Sequence, residues 1–192
     1  MVTEDGEIQQ QAACDAAPGV TTNDAVGVDE RDLYVRARVR LPVSGGKCDG
    51  EGAGTTVRRA GAGFVACLFH PGEQSLDGDG NGTSAFELQM FRFDGEDLVS
   101  ATPTRLGDGE FTVGDDPGAQ TAWGDRWVTV ALLANGGDLL CTVSGESMRG
   151  GHSVRWDRSV DGFDGAPASG RAGLVTWGAS ASFDDFRVVS LP

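Results

Sequence analysis

Residues 171–192, RAGLVTWGASASFDDFRVVSLP, end the chain with apolar and polar residues in alternation. Strict alternation from Phe183 places that residue and Val189 on one face of a strand, and Phe186 and Val188 on the other. Both faces carry apolar groups and β-branched residues lie near the end, which is typical of a strand buried on at least one side. The segment therefore predicts a closing strand that needs a neighbouring strand already in its sheet.

Residues 31–41, RDLYVRARVRL, show the same alternation in its clearest form. From Leu33 onward one face is entirely apolar, and the other carries a tyrosine followed by three arginines. Such a pattern predicts a strand with one buried and one solvent-facing side. The predicted buried side consists of Leu33, Val35, Ala37, Val39 and Leu41.

Most of the remaining chain consists of short apolar runs separated by turn residues. Thirty of the 192 residues are glycine, and segments such as FDGED and ANGGD supply residues that tolerate the positive φ of tight hairpins. About twelve short strands without helices predict an all-β sandwich or barrel of antiparallel sheets. We expect one domain over residues 1–192, with no apolar run long enough for a membrane span. The clearest further strand-like runs are GAGFVACLF, SAFELQMFRF, RWVTVALLA, DLLCTVSG and HSVRWD.

The chain is strongly acidic, with 29 Asp and Glu against 15 Lys and Arg and a formal net charge of −14. A phosphate backbone or an anionic membrane surface would be repelled, so neither nucleic acid nor membrane is expected as a partner. Carboxylates on a β protein also maintain solubility and discourage association between sheet edges. The charge alone therefore indicates no function.

Four cysteines are widely separated and none forms a C-x-x-C pair, which argues against a zinc knuckle or a thioredoxin-type redox site. Cys14 and Cys48 lie in loop-like segments, and we predict a disulfide between them. Cys67 and Cys141 lie in strand-like runs, where a second bridge and two buried thiols are both open alternatives. Either bridge would indicate an extracellular, cell-surface or periplasmic location.

The first residues, MVTEDGEIQQ, lack the charged start and apolar stretch of a secretory signal. This start suits a mature or trimmed chain.

The order of the strand-like segments resembles that of the concanavalin A-like jelly rolls, a group that includes laminin-G-like modules and the β-glucanase sandwich. The resemblance covers roughly residues 2–191 as a pattern of strands and turns, and its most specific part is the closing segment. It implies two antiparallel sheets in which the opening strand VTEDGEIQQ and the closing strand SFDDFRVVSL lie side by side. A fold of this kind implies no function by itself. The segments that carry the resemblance are VTEDGEIQQ, ERDLYVRARVRLP, GAGFVACLF, AFELQMFRFDGEDLV, WGDRWVTVALLANGGDLLCTVSGE and GRAGLVTWGASASFDDFRVVSL.

Catalytic motifs are absent from the sequence. The β-glucanases of this group carry E-x-D-x-x-E on one strand, whereas Glu87 has no acidic residue two or four positions later. No G-x-S-x-G elbow is present, and His70 and His152 each lack an acid–base partner nearby in the sequence. We therefore expect a non-catalytic member of this group. A glycan-active enzyme with a non-standard site ranks third, behind a binding module and an adhesive module.

Structural calcium is a cofactor hypothesis with two candidate positions. Asp77, Asp79 and Asn81 have the alternate spacing of a calcium loop, but the twelfth position is Leu88 instead of glutamate, and an exposed polar loop is the alternative. The resemblance implies a second position at Asp184, next to the first strand, where a surface carboxylate is the alternative.

Carbohydrate or a cell-surface glycoconjugate is the ligand class that we expect, because the resemblance implies a binding site on the concave sheet. Sugar sites combine an aromatic face with carboxylate, amide or guanidinium groups. Trp127 opens an apolar strand and is predicted to lie in the core. The alternative function is a structural or adhesive module that contacts other protein chains. The predicted ligand-binding residues are Trp156, Trp177, Arg36, Arg38, Glu87 and Gln89, and the last four are expected to line the same face.

Overall fold

A computed structural model describes residues 8–10, 20–24, 29–41, 52–76, 81–95, 97–102, 105–112, 127–145, 152–156, 165–178 and 180–192. All regular secondary structure in these segments is β, so the predicted all-β class is confirmed.

The described residues form thirteen strands. They are β1 (Ile8–Gln10), β2 (Val20–Asp24), β3 (Leu33–Arg40), β4 (Gly52–Ala60), β5 (Gly63–Leu76), β6 (Asn81–Asp94), β7 (Asp97–Ala101), β8 (Arg105–Thr112), β9 (Val128–Asn135), β10 (Asp138–Ser144), β11 (His152–Trp156), β12 (Arg171–Trp177) and β13 (Ala181–Ser190).

These strands form two antiparallel sheets. The six-stranded sheet has the order β1-β13-β3-β9-β10-β11. The seven-stranded sheet has the order β2-β12-β4-β5-β6-β7, and β8 also pairs with β6. Because β6 is long, β7 pairs with its second half and β8 with its first half.

Strand β3 shows why the sequence adopts this arrangement. Its odd-numbered residues are fully buried and its even-numbered residues are half-buried, as the alternation predicted. The strand runs from Leu33 to Arg40, slightly shorter than the predicted segment 31–41. The buried side chains of β3 pack into a core that receives residues from both sheets, so the sheets face each other across one apolar layer.

A disulfide crosses this core between Cys67 of β5 and Cys141 of β10, with their Cα atoms 5.5 Å apart. It joins the seven-stranded sheet to the six-stranded sheet, and both cysteines are fully buried. Of the two alternatives that the sequence left open for these cysteines, the structure has the bridge. The predicted pair of Cys14 and Cys48 lies outside the described residues and stays a prediction.

The closing strand β13 departs from strict alternation. Its pairing with β3 shifts between Asp184 and Arg187, where three steps along β13 match two steps along β3. Asp185 has φ 47°, so one extra residue is accommodated in a β-bulge. The bulge reverses the faces that follow it, so Phe186 and Val188 pack on the core whereas Val189 is 48% exposed. The expectation that Phe183 and Val189 share a face is therefore wrong.

Strand β13 lies in the interior of its sheet. On one side it pairs with β3, and on the other Ala181–Phe183 pairs with Ile8–Gln10 of β1. The part of the predicted opening strand before Ile8 lies outside the described residues.

Arg58 makes a second link between the sheets. It is 1% exposed with φ 57°, at an irregularity in the pairing of β4 with β5. Its guanidinium donates a hydrogen bond to the carbonyl oxygen of Gly136, in the turn between β9 and β10. A buried arginine near the end of β4 therefore ties the seven-stranded sheet to a hairpin of the other sheet.

Candidate functional site

The outward face of the seven-stranded sheet carries a cluster of five rings. On β5, Val65, Cys67 and Phe69 belong to the main core, so the residues between them face away from it. Phe64 and His70 of β5, Phe91 and Phe93 of β6, and Trp177 of β12 meet on that outward side. The Trp177 ring lies at the centre, 5.1 Å from Phe91, 5.7 Å from Phe93 and 6.3 Å from His70 between centroids.

Exposure divides this cluster into a buried part and a rim. Phe64, Phe91 and Phe93 are at most 4% exposed, whereas Trp177 and His70 are only partly buried. Edge-to-face contacts between Trp177 and its neighbours hold the indole in one orientation. The partly exposed indole and imidazole are therefore the aromatic surfaces of this cluster that a ligand can reach.

Gly52 explains how His70 reaches Trp177. Gly52 is paired with Trp177, and a Cβ atom at its position would lie 2.5 Å from the His70 ring. Since glycine has no side chain, the imidazole lies across β4 and approaches the indole edge-on.

Two polar side chains border the rim on β6. Glu87 is exposed and lies directly opposite His70 in the pairing of β5 with β6. Gln89 is half-buried, and its amide donates a hydrogen bond of 2.5 Å to the carbonyl oxygen of Thr102. The cross-strand neighbours of Glu87 are His70 and Leu106, and neither supplies a second carboxylate. The arrangement offers an aromatic surface, one carboxylate and one anchored amide, which suits the binding of hydroxyl groups.

The six predicted ligand-binding residues do not form one site. Glu87, Gln89 and Trp177 share the outward face of the seven-stranded sheet, whereas Arg36 and Arg38 project from β3 on the opposite outer face. The expectation that the two arginines share a face with Glu87 and Gln89 is therefore wrong. Alternation showed which side of its own strand each residue occupies, but not which sheet the strand joins.

Trp156 is the sixth predicted residue, and its position is known only from the backbone. It ends β11, opposite Leu139 of β10. The structure does not bring this position into the Trp177 rim, because β11 belongs to the other sheet.

Trp127 does not lie in the core as predicted. It is partly exposed, and the guanidinium carbons of Arg38 and Arg40 each lie 4.9 Å from its ring centroid. Two cation–π contacts therefore place the indole on the outer face of the six-stranded sheet, beside the arginines of β3.

Acidic residues of β13 complete this outer face. Asp184 accepts a hydrogen bond of 3.2 Å from Arg38, and its other carboxylate oxygen accepts one from the backbone N–H of Asp185. Asp185 contacts Arg36 at 2.6 Å and Arg187 at 2.8 Å. The hydrogen bond from Arg187, with the positive charges of Arg187 and Arg36, holds the pKa of Asp185 below its usual value, although desolvation opposes this.

The contacts of Asp185 predict an acid-dependent contribution to stability. A lowered pKa in the folded state stabilises the fold above the unfolded-state pKa and loses this effect as the pH falls through the folded-state pKa. Asparagine tolerates the left-handed backbone, so Asp185→Asn removes the charge without adding strain. We expect Asp185→Asn to lower the melting temperature slightly at neutral pH and to match the wild type in strong acid. Thermal melts across the acid range test this, and an equal deficit at every pH would contradict it.

The structure describes the predicted calcium positions only in part. Asp77 and Asp79 lie outside the described residues, and Asn81 begins β6 with only its backbone described. Both carboxylate oxygens of Asp184 are engaged by other groups, one of them a cation. In the described segments no three His, Cys, Asp or Glu side chains come together as metal ligands would. Calcium at Asp184 stays a prediction.

His70, Trp127 and Asp185 are the candidate site residues that sequence reasoning missed. His70 had a usable signal, since alternation along GFVACLFH places it on the face of Phe64 and Leu68. Trp127 and Asp185 had no usable sequence signal, because their contacts depend on β3 being the neighbour of both β9 and β13.

Comparison with known proteins supports the fold. No protein-family model matches the chain, and no curated protein matches its sequence. Among solved structures, the exoplasmic/lumenal domain of VIP36 in a Ca²⁺-bound form matches with a TM-score of 0.52 and 10% identity, over 97% of this chain and 79% of that one.

Two further structures are similar at lower scores. A functionally unknown protein from Saccharomyces cerevisiae has a TM-score of 0.45 and 13% identity, over 86% of this chain and 74% of its own. A mutant of the GH43 protein BlXynB from Bacillus licheniformis has a TM-score of 0.43 and 13% identity, over 84% of this chain and 28% of its own.

Nothing in the described part of the chain forms a helix with the length and hydrophobicity that a membrane crossing requires. The two antiparallel sheets and the likeness to the VIP36 domain establish that this chain has the concanavalin A-like sandwich fold.

Proposed function

We propose that this domain is a non-catalytic carbohydrate-binding module, and that it binds its ligand at the Trp177 rim, formed by Trp177, His70, Glu87 and Gln89. One observation carries the proposal: a fixed, partly exposed indole lies on the same sheet face as an exposed carboxylate and an anchored amide. Aromatic rings stack on the apolar faces of sugars, and carboxylate and amide oxygens accept hydrogen bonds from their hydroxyl groups.

The environment of the rim suits binding. The buried phenylalanines and Val175 behind Trp177 form a second apolar cluster, so the indole rests on a packed support. Gln89 is held by the Thr102 carbonyl, and Thr102 is in turn held by the backbone of Met90. A site whose groups are already fixed loses less conformational entropy on binding.

An extracytoplasmic location fits the same proposal. The disulfide between Cys67 and Cys141 is typical of proteins from oxidising compartments, where glycans are also displayed. We propose a cell-surface or secreted glycan as the partner.

The proposal is tested on a glycan array with the wild type and Glu87→Gln. We expect wild-type binding to neutral oligosaccharides, and an affinity about tenfold lower for Glu87→Gln, because its amide is a weaker acceptor than the carboxylate. Glu30→Gln is the matched control, since Glu30 is exposed and lies outside the rim. Trp177→Phe should remove the fluorescence change that accompanies binding.

Two outcomes would contradict this assignment. One is the absence of glycan binding by a folded wild-type protein, and the other is equal loss in Glu87→Gln and Glu30→Gln. Product analysis of the same incubations detects cleavage, which would overturn the non-catalytic part of the proposal.

The loop of Asp77, Asp79 and Asn81 is the calcium site that the proposal includes. The likeness to a Ca²⁺-bound domain supports testing it, and the array is therefore run with calcium and with a chelator. If the loop binds calcium, Asp79→Ala removes any calcium dependence, whereas Asp184→Asn leaves it unchanged.

An adhesive module receives less support. In the described segments the exposed large hydrophobic residues are Leu98 and Val99 of β7 and Val189 of β13. They lie on different sheets and do not form the single apolar patch that protein contacts favour.

A further inference from the structure

The outer face of the six-stranded sheet concentrates positive charge on an acidic protein. Among the described residues, Arg36, Arg38 and Arg187 lie together there and form ion pairs with Asp184 and Asp185. The whole chain has a net charge of −14, so a positive excess at one place is unusual for it.

Two of the three arginines of β3, Arg36 and Arg38, keep donors for a ligand. Each guanidinium has five N–H donors, and Arg36 and Arg38 each use one nitrogen for an aspartate. The ion pairs are about one-third to two-fifths exposed, so exchanging them for a ligand carboxylate costs little. Guanidinium groups bind carboxylates in a two-point geometry, which adds strength and direction.

Small side chains form a floor next to the arginines. Arg36 lies opposite Ala131 of β9, and Arg38 lies opposite Thr129. In β10, Thr142 lies opposite Ala131 and Ser144 lies opposite Thr129. The floor therefore places the hydroxyl groups of Thr129, Thr142 and Ser144 on the strands next to the arginines.

The floor has a defined length and two different ends. Trp127 borders it at one end, where Arg38 and Arg40 contact the indole. At the other end Tyr34 lies opposite Leu133, which lies opposite Leu140. Trp127 and Leu133 are six steps apart along extended chain, about 20 Å, which is enough for an oligosaccharide.

We propose that this arginine floor, formed by Arg36, Arg38, Trp127, Thr129, Thr142 and Ser144, binds a short oligosaccharide that carries uronic acid groups. The guanidinium groups bind the sugar carboxylates, the hydroxyl groups bind sugar hydroxyls, and the indole stacks on a pyranose ring. A long polyanion is disfavoured because the rest of the chain repels it.

This inference does not depend on the Trp177 rim, which lies on the opposite face of the sandwich and carries an exposed carboxylate of its own. The two sites differ in charge, so they predict opposite ligand preferences. The rim favours neutral sugars, and the arginine floor favours acidic ones.

Calorimetry with a short oligogalacturonate and with its methyl ester of equal length tests the proposal. It is carried out on the wild type and on Glu87→Gln, in which binding of the neutral ester at the Trp177 rim is weakened. The two ligands share a backbone and differ only in the carboxylate charge. We expect the ester to bind at least about tenfold more weakly, the usual effect of losing a charge-assisted hydrogen bond. In Arg36→Gln/Arg38→Gln the free acid should bind no better than the ester, and added salt should weaken only the acid.

Three variants test whether the ligand binds at the arginine floor. Arg31→Gln removes an exposed arginine outside the floor and should leave both affinities unchanged. Asp184→Asn removes a competing carboxylate and should raise the affinity for the free acid severalfold. Glu87→Gln alters only the Trp177 rim and should not change oligogalacturonate binding. Circular dichroism confirms that each variant is folded.

Four outcomes would overturn the proposal. Equal affinity for acid and ester, or no binding of either, would show that the arginines take no sugar carboxylate. Loss of acid binding in Glu87→Gln would place the ligand on the other sheet. Binding of a polyglutamate peptide as tight as that of the oligogalacturonate would identify the face as a site for acidic peptides.

Discussion

A chain that ends at Ala179 is expected to be insoluble or to lack a cooperative melt, because it loses β13. This strand lies between β1 and β3, so its removal leaves β1 without a hydrogen-bond partner and exposes one edge of β3, which then pairs with β9 alone. It also withdraws Phe183, which is fully buried, and Phe186 and Val188, which pack on the core. A typical domain is stable by about 5–15 kcal/mol, and burying Phe183 alone contributes about 3 kcal/mol.

Point substitutions in the full chain separate the loss of buried side chains from the loss of the strand's hydrogen bonds. Phe183→Ala should cost about 3–5 kcal/mol, because it leaves a cavity between the sheets. Val189→Ala should cost less than about 0.5 kcal/mol, because the side chain is 48% exposed. Urea denaturation of the two variants measures both values. Equal losses would contradict the bulge, and a near-parental melt of the shortened chain would show that β13 is an appendage.

Removing the bridge between the sheets is the second large effect that we expect. Cys67 and Cys141 are 74 residues apart, and closing a loop of that length stabilises a fold by about 4 kcal/mol in the chain-entropy account. The double variant Cys67→Ala/Cys141→Ala should therefore melt about 10 °C lower, since about 2–4 °C accompanies each kcal/mol in a domain of this size.

Reduction provides a control for the substitution itself. Thiol reductant should lower the melting temperature of the wild type but affect the double variant less. Peptide mapping without reductant should recover Cys67 linked to Cys141, and the same map tests the predicted link between Cys14 and Cys48. A melting temperature of the double variant within 2 °C of the parent, by the same scaling, would show that packing alone holds the sheets together.

The site was only partly predictable from the sequence. Glu87, Gln89 and Trp177 were identified because sugar binding requires their chemistry, and the structure brings them to one sheet face. Arg36 and Arg38 were identified by the same reasoning, but they occupy the opposite face, where Arg38 contacts Trp127. Residue chemistry indicates what a side chain can bind, whereas its neighbours depend on strands far away in the sequence.

The sequence by itself determined the all-β class and the inward face of β3, because alternation within one strand is a local property that burial enforces. Only the tertiary structure decided the bulge at Asp185, the bridge from Cys67 to Cys141 and the separation of the two candidate surfaces. Each of these depends on which strands become neighbours. A strand's own residues fix which side chains face each way, whereas its partner strand fixes its register. The pairing of strands is therefore set by the free energy of the whole sandwich.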